Sequence, residues 1–143
     1  MKILHITRSN GGDAPGRFVA ALAERQRKAG HEVTLVVQQA SGDMENVLAL
    51  PTPTQAWQVN LLKQQDERGL FDLYAPQLLN LFDKDEFSQA DIVHLHDISG
   101  GYFSYLLFPF LTAKPLVWTL YNERMFVEEP PLEGGRAAAV RKI

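Results

Sequence analysis

The sequence has no cysteine among its 143 residues. That rules out disulfides and thiolate-bound metals, and it fits a reducing compartment. It also lacks any apolar run near the roughly 20 residues that a membrane-spanning helix needs. The opening Met1-Lys2-Ile3-Leu4-His5-Ile6 is too short an apolar stretch for a signal peptide, and no small-residue cleavage site follows it. Positive charge is not in excess: the formal net charge is −3, which argues against a general nucleic-acid binder. Internal repeats are absent too. What is present is 45% hydrophobic and 22% charged residues, the proportions of one globular domain able to bury a core. The expectation is a cytoplasmic protein with no transmembrane segment.

The pattern of apolar residues sets out an α/β chain. Residues 2–6 read as a short strand and residues 7–12 (Thr-Arg-Ser-Asn-Gly-Gly) as a loop. Asp13 is a candidate N-cap and Pro15 suits a first helical turn. Phe18, Ala21, Leu22, Arg25 and Ala29 follow helical spacing up to a stop at Gly30. Residues 33–37 (Val-Thr-Leu-Val-Val) form a continuous apolar strand, as expected of a parallel sheet covered on both faces. Strand, glycine loop, helix, glycine and strand make one βαβ unit. A third strand is expected over 47–50, then helices over 55–63 and 71–82. A strand follows over 90–96, a loop over 97–101, and a buried aromatic helix over 102–111 that Pro109 kinks or ends. The last strand is 116–120. Residues 127–143 carry two prolines, two glycines and little periodicity, so they read as a poorly ordered tail with a short helix over 136–142.

In open parallel sheets, ligands bind beyond the carboxyl ends of the strands. That rule selects the loops at 9–16, 96–101 and 121–126. Gly11, Gly12 and Gly16 do not have the G-x-G-x-x-G spacing of a dinucleotide fingerprint, and Gln38 and Gln39 stand where a ribose-binding acid belongs. Gly11 and Gly16 have P-loop spacing, but Arg17 and Phe18 replace its Lys and hydroxyl residue. Gly11 and Gly12 still allow a ligand to approach a helix N-terminus, or they make a plain tight turn. His94 and His96 share a strand face. His94 is expected to be a core histidine bonded to a neighbour, and His96 with Asp97 at the strand end to be functional. A metal site is not expected, because the usual hydrolase pattern needs further ligands, the only other histidines are His5 and His31, and His31 starts the second strand at the wrong end of the sheet.

The segments "MKILHIT…GG" and "AGHEVTLVV", and above all "ADIVHLHDISGGYFSYLLFPFLTAKPLVWTLYNERMF", resemble the N-terminal part of family 4-like glycosyltransferases over about residues 1–126. The resemblance implies one half of a GT-B fold. That half is a Rossmann-like, three-layer α/β/α domain with a mostly parallel sheet, on the acceptor side of a cleft. It implies a retaining transferase that moves a sugar from a nucleotide-sugar to an acceptor, in surface polysaccharide or glycan synthesis, with no bound cofactor. The site residues it implies are His96, Asp97 and Tyr121 as catalytic groups. Asn10, Gly11, Gly12, Arg17, Gly100 and Asn122 would bind substrate. Tyr121 and Asn122 match the His-Asp that follows "WTL" in the family, so a phenol stands where an imidazole is usual. The implied partners are a glycan or lipid-linked acceptor, with peripheral contact at the inner membrane face, and a nucleotide-sugar donor. The donor-binding half is not found in these 143 residues, so the chain alone is expected to be inactive. The competing reading is a non-catalytic module that binds an acceptor or a partner chain.

Overall fold

The computed structural model describes residues 1–70, 72–99 and 101–121. Five strands, β1 (Lys2–Ser9), β2 (Glu32–Gln39), β3 (Val47–Ala49), β4 (Ile92–Leu95) and β5 (Leu116–Trp118), form one sheet in the order β3-β2-β1-β4-β5. Every adjacent pair is parallel. This is a Rossmann-like α/β fold, as the alternation of apolar strands with helical patterns requires. β1 is central and continues past the expected loop start. Thr7 and Ser9, poor loop evidence in isolation, pair with Val37 and Gln39 of β2.

Side chains alternate along each strand, so the sheet has two cores. On one face, Ile3, Val33, Leu35 and Val37 pack with Val19 and Ala23 of α1 (Ala14–Lys28). On the other, Leu4, Ile6, Val36, Val93 and Leu95 pack with Leu78, Leu81, Tyr102, Phe103, Leu107 and Leu111. Asp13 caps α1 as expected, accepting the Gly16 N–H at 2.7 Å. The buried stripe of α1 is Gly16, Val19 and Ala23, not the one that includes Phe18 and Ala21. Phe18 is 53% exposed. Small residues let the helix axis approach the sheet, and the larger Phe18 faces outward.

The segment between β3 and β5 departs furthest from expectation. The first helix runs longer, as α2 (Ala56–Glu67), with only Gln65 buried. The expected helix over 71–82 is instead a 3₁₀ turn, Pro76–Leu78, followed by the single turn α3 (Leu79–Phe82). Another turn, α4 (Asp85–Ser88), leads to β4. The expected helix over 102–111 is also broken, into a 3₁₀ turn, Tyr105–Leu107, and α5 (Phe108–Leu111). Pro76 and Pro109 both stand in the first turn of their short helices. Each lacks an N–H, so it suits the first turn of a helix but cannot carry a longer helical ladder through from its N-terminal side. Tertiary hydrogen bonds replace the missing ladder. Gln77 Nε2 donates to the Gly101 carbonyl at 3.0 Å, and the Gly101 N–H donates to Asp72 Oδ1 at 2.6 Å. Gly101 has φ +77°, a left-handed conformation that glycine adopts without strain. Among the described residues, no helix is long and apolar enough to cross a membrane. The expectations for residues 127–143 lie outside the described residues.

Gly16 marks the closest approach of α1 to β1. A Cβ there would meet Ser9 Oγ at 2.3 Å and the Ser9 carbonyl at 2.9 Å. Gly16→Ala is expected to lower unfolding free energy by about 1–3 kcal/mol in urea melts. A Cβ on Gly12 has nothing within 4 Å, so Gly12→Ala should stay within about 0.5 kcal/mol.

Candidate functional site

The chain builds outward from β1 to β3 and then returns to the other side of β1 as β4, so strand order reverses between β1 and β4. Loops diverge at such a point and leave a crevice beyond the carboxyl ends of the strands. Arg8 ties the two loops together there. Its Nη2 donates to Asp13 Oδ2 at 2.8 Å, and its Nε lies 3.6 Å from Asp97 Oδ2. The bond to Arg8 holds the Asp13 carboxyl below the usual carboxylate range, and the Gly16 and Ser9 donors add to the effect. Asp97 also accepts from the Ser99 hydroxyl at 2.7 Å, and its carbonyl accepts from the Tyr102 phenol.

The remaining expected site residues fall along the same edge. Asn10 is buried, and its amide is committed to the loop after β2. It donates to the Ser41 carbonyl at 3.0 Å and accepts the Ser41 N–H at 2.6 Å. Asn10 therefore shapes the crevice and has little left to offer a ligand. Gly11 lies under Ser41, Gly12 is open to solvent, and Arg17 is exposed in the first turn of α1. Gly100 and Asn122 lie outside the described residues.

His96 and Tyr121 come together, but not as exposed acid and base. On the α1 face of the sheet stand His5, His94 and His96, with Thr119 and Tyr121 following β5. The register pairs His5 with His94. His5 Nε2 meets Gln26 Oε1 of α1 at 2.7 Å, His5 Nδ1 meets His96 Nε2 at 2.8 Å, and His96 Nδ1 meets the Tyr121 hydroxyl at 2.9 Å. His94 Nε2 bonds Thr119 Oγ1 at 2.7 Å. His5 and His96 are fully buried. Desolvation, with the neighbouring histidines adding to it, lowers the His96 pKa to about 3. Desolvation likewise lowers His5 to about 4, against the Gln26 bond. Burial, then the charge of Asp97, pushes the Tyr121 phenol up to about 12. At neutral pH all three groups are uncharged. They can orient a ligand but cannot exchange protons with it readily.

Of the described residues, His5, His94 and His96 are the set that could offer nitrogens to a metal, one from each lying within 4.8 Å of the others. The 2.8 Å between His5 Nδ1 and His96 Nε2 is a hydrogen-bond length. Tetrahedral zinc with bonds of about 2.0–2.1 Å would hold two nitrogens roughly 3.3 Å apart. The spacing is that of rings sharing a proton. His5 and Gln26 are members of this network that sequence reasoning missed. The available signal was Gln26 itself, spaced with Val19 and Ala23 on the buried face of a helix.

A cavity of about 270 Å³ opens at the carboxyl end of β2, on the opposite face of the sheet. Gln38, Pro53, Leu62, Gln65, Asp66, Asp72, Tyr74, Gly101 and Phe103 line it. Gln65 holds its wall by two hydrogen bonds to the Tyr74 backbone: its Nε2 donates to the Tyr74 carbonyl and its Oε1 accepts the Tyr74 N–H, each at 2.8 Å. The lining has two carboxylates, two side-chain amides and aromatic faces, and among the described residues no lysine or arginine. It suits a neutral, hydroxyl-rich ligand and disfavours an anionic one.

Among known protein families, the model for Glycosyltransferase Family 4 matches residues 15–133, from α1 through every later strand. No curated protein matches the chain.

The buried imidazoles make stability depend on pH in one direction. Unfolding exposes both rings, which then bind protons near their ordinary pKa of 6.5. Their native pKa values are lower, so acid favours the unfolded chain. Stability should be full above about pH 6.5 and fall as pH drops toward the native values, with up to two protons taken up per unfolding event. Urea melts at about pH 7.5 and about pH 5 should differ by about 2–4 kcal/mol. Equal stabilities would contradict neutral burial of His5 and His96.

Proposed function

The chain belongs to glycosyltransferase family 4, and from that premise we propose that it is the acceptor-side half of a retaining, nucleotide-sugar-dependent transferase acting on a neutral glycan. The observation that carries this reading is the pairing of a crevice at the β1–β4 reversal with a cavity lined by Asp66 and Asp72 at the same edge of the sheet. In sugar transfer, an acceptor oxygen bonds to the anomeric carbon as the bond to the diphosphate breaks, and the acceptor hydroxyl gives up its proton. Rate comes from placing that hydroxyl and from stabilising the departing charge. The cavity supplies the first. The Asp66 and Asp72 carboxylates and the Gln38 amide bind the acceptor's hydroxyls while Tyr74 contacts its apolar face.

The second is weakly provided. Arg8 is already shared between Asp13 and Asp97, and the Asp13 carboxylate takes a donor at the N-terminus of α1 that an anion would otherwise use. Arg17 is the cation that the first turn of α1 presents to a diphosphate. The rest of the charge stabilisation falls to groups outside the described residues. With His96 near 3 and Tyr121 near 12, this half aligns substrates and does not act as the base.

Amide chemical shifts of the 143-residue chain should move on titration with neutral oligosaccharides, at Gln38, Tyr74 and Phe103 above all, and much less with uronic-acid oligosaccharides. Asp66→Ala, at an exposed position on the rim, should weaken that binding by about 10-fold, the loss of a charge-assisted hydrogen bond or two. Preference for the anionic sugars would overturn the acceptor class. Nucleotide-sugar turnover by these residues alone, above the blank, would overturn the division of labour.

A further inference from the structure

The hydrogen bonds from α1 to Tyr121 have a direction. Gln26 presents Oε1 to His5, and an amide oxygen only accepts, so His5 carries its proton on Nε2. A neutral imidazole holds one ring proton. His5 Nδ1 is therefore a lone pair, and His96 Nε2 must donate to it across 2.8 Å. By the same count His96 Nδ1 is a lone pair, and the Tyr121 hydroxyl must donate to it across 2.9 Å. The phenol's one proton is thus committed inward. What Tyr121 turns to the crevice is an oxygen with lone pairs only.

We propose that Gln26 is a positioning residue that, through the fixed tautomers of His5 and His96, makes Tyr121 a hydrogen-bond acceptor for a ligand hydroxyl and a poor partner for phosphate or carboxylate oxygens. Gln26 touches no ligand. It sits on the inner face of α1, roughly three turns from the N-terminal end of the helix that borders the crevice, and acts over three hydrogen bonds. Rotating its amide by half a turn would reverse the whole chain. Nε2 would donate to His5, each imidazole would pass its proton one nitrogen along, and the Tyr121 hydrogen would point outward. The two proton orders are mutually exclusive, and the amide orientation selects between them. The choice of ligand rests on the crevice being a sugar-transfer site; the proton order does not.

The test is nitrogen-detected NMR of the 143-residue chain with ¹⁵N-labelled histidine at neutral pH. Both His5 and His96 should show a protonated Nε2 and an unprotonated Nδ1. Gln26→Leu, which removes the acceptor, should move His96 toward the Nδ1–H form. Gln26→Glu, which keeps an acceptor, should retain Nε2–H on both rings; it also serves as the folded variant should Gln26→Leu not fold. A wild-type His96 protonated on Nδ1, or tautomers unchanged in folded Gln26→Leu, would overturn the proton order. Glucose and sulfate then separate the ligand claim, since sulfate only accepts hydrogen bonds. Glucose should shift the Tyr121 ring resonances and sulfate should not. The reverse preference, or no response to glucose, would overturn the acceptor role of Tyr121 while leaving the tautomers standing.

Discussion

Three imidazoles on one face of a parallel sheet impose a condition that much of this structure meets. A buried ring with an unpaired N–H or lone pair costs about 1–3 kcal/mol, and a charged one costs more. His5 and His96 meet the condition only as a chain, each using one nitrogen on the other and one on an oxygen. The oxygens come from α1 and from the residue after β5. One helix, two strands and the exit from a third are thereby held in a fixed relation by polar groups, in a region where apolar packing alone would tolerate sliding. His94 and Thr119 make a parallel link one step earlier along β4.

Charge is arranged with the same economy. Arg8 is shared between two carboxylates on loops that diverge from adjacent strands, so the crevice is drawn together without acquiring net positive charge. The cavity on the other side of the sheet is acidic. On the function proposed above, a domain built this way binds hydroxyl groups and leaves the handling of phosphate to other surfaces.

Much of the sheet was legible in the sequence. Residues 33–37, 92–96 and 116–120 are unbroken or nearly unbroken apolar runs, and Asp13 and Gly30 bracket α1 by capping chemistry that acts within a few residues. The burial of α1 was not legible by the same means, because the bulk of Phe18 drew the apolar stripe to the wrong face while the true one is built of Gly16, Val19 and Ala23. The segments around Pro76 and Pro109 were misread for a different reason. Their shape is set by Asp72 and Gln77 gripping Gly101, contacts that no local pattern encodes. Within the site, His96, Asp97 and Tyr121 could be placed at strand ends from sequence. His5 became a member only once β1 was known to pair with β4, and Gln26 only once the inner face of α1 was known.

Strand length in this sheet falls off sharply from the centre. β1 and β2 have eight residues each, β4 has four, and β3 and β5 have three. A three-residue strand contributes few ladder hydrogen bonds and can open at small cost, whereas β1 is bonded on both sides and cannot part from the sheet until the whole fold does. The domain is therefore graded in local stability, with a slow-exchanging centre and yielding flanks. Tyr121 hangs from the yielding side and His5 from the slow one. The hydrogen-bonded chain between them spans the gradient, so fraying of β5 would cut the chain at the phenol and leave the two imidazoles where they are.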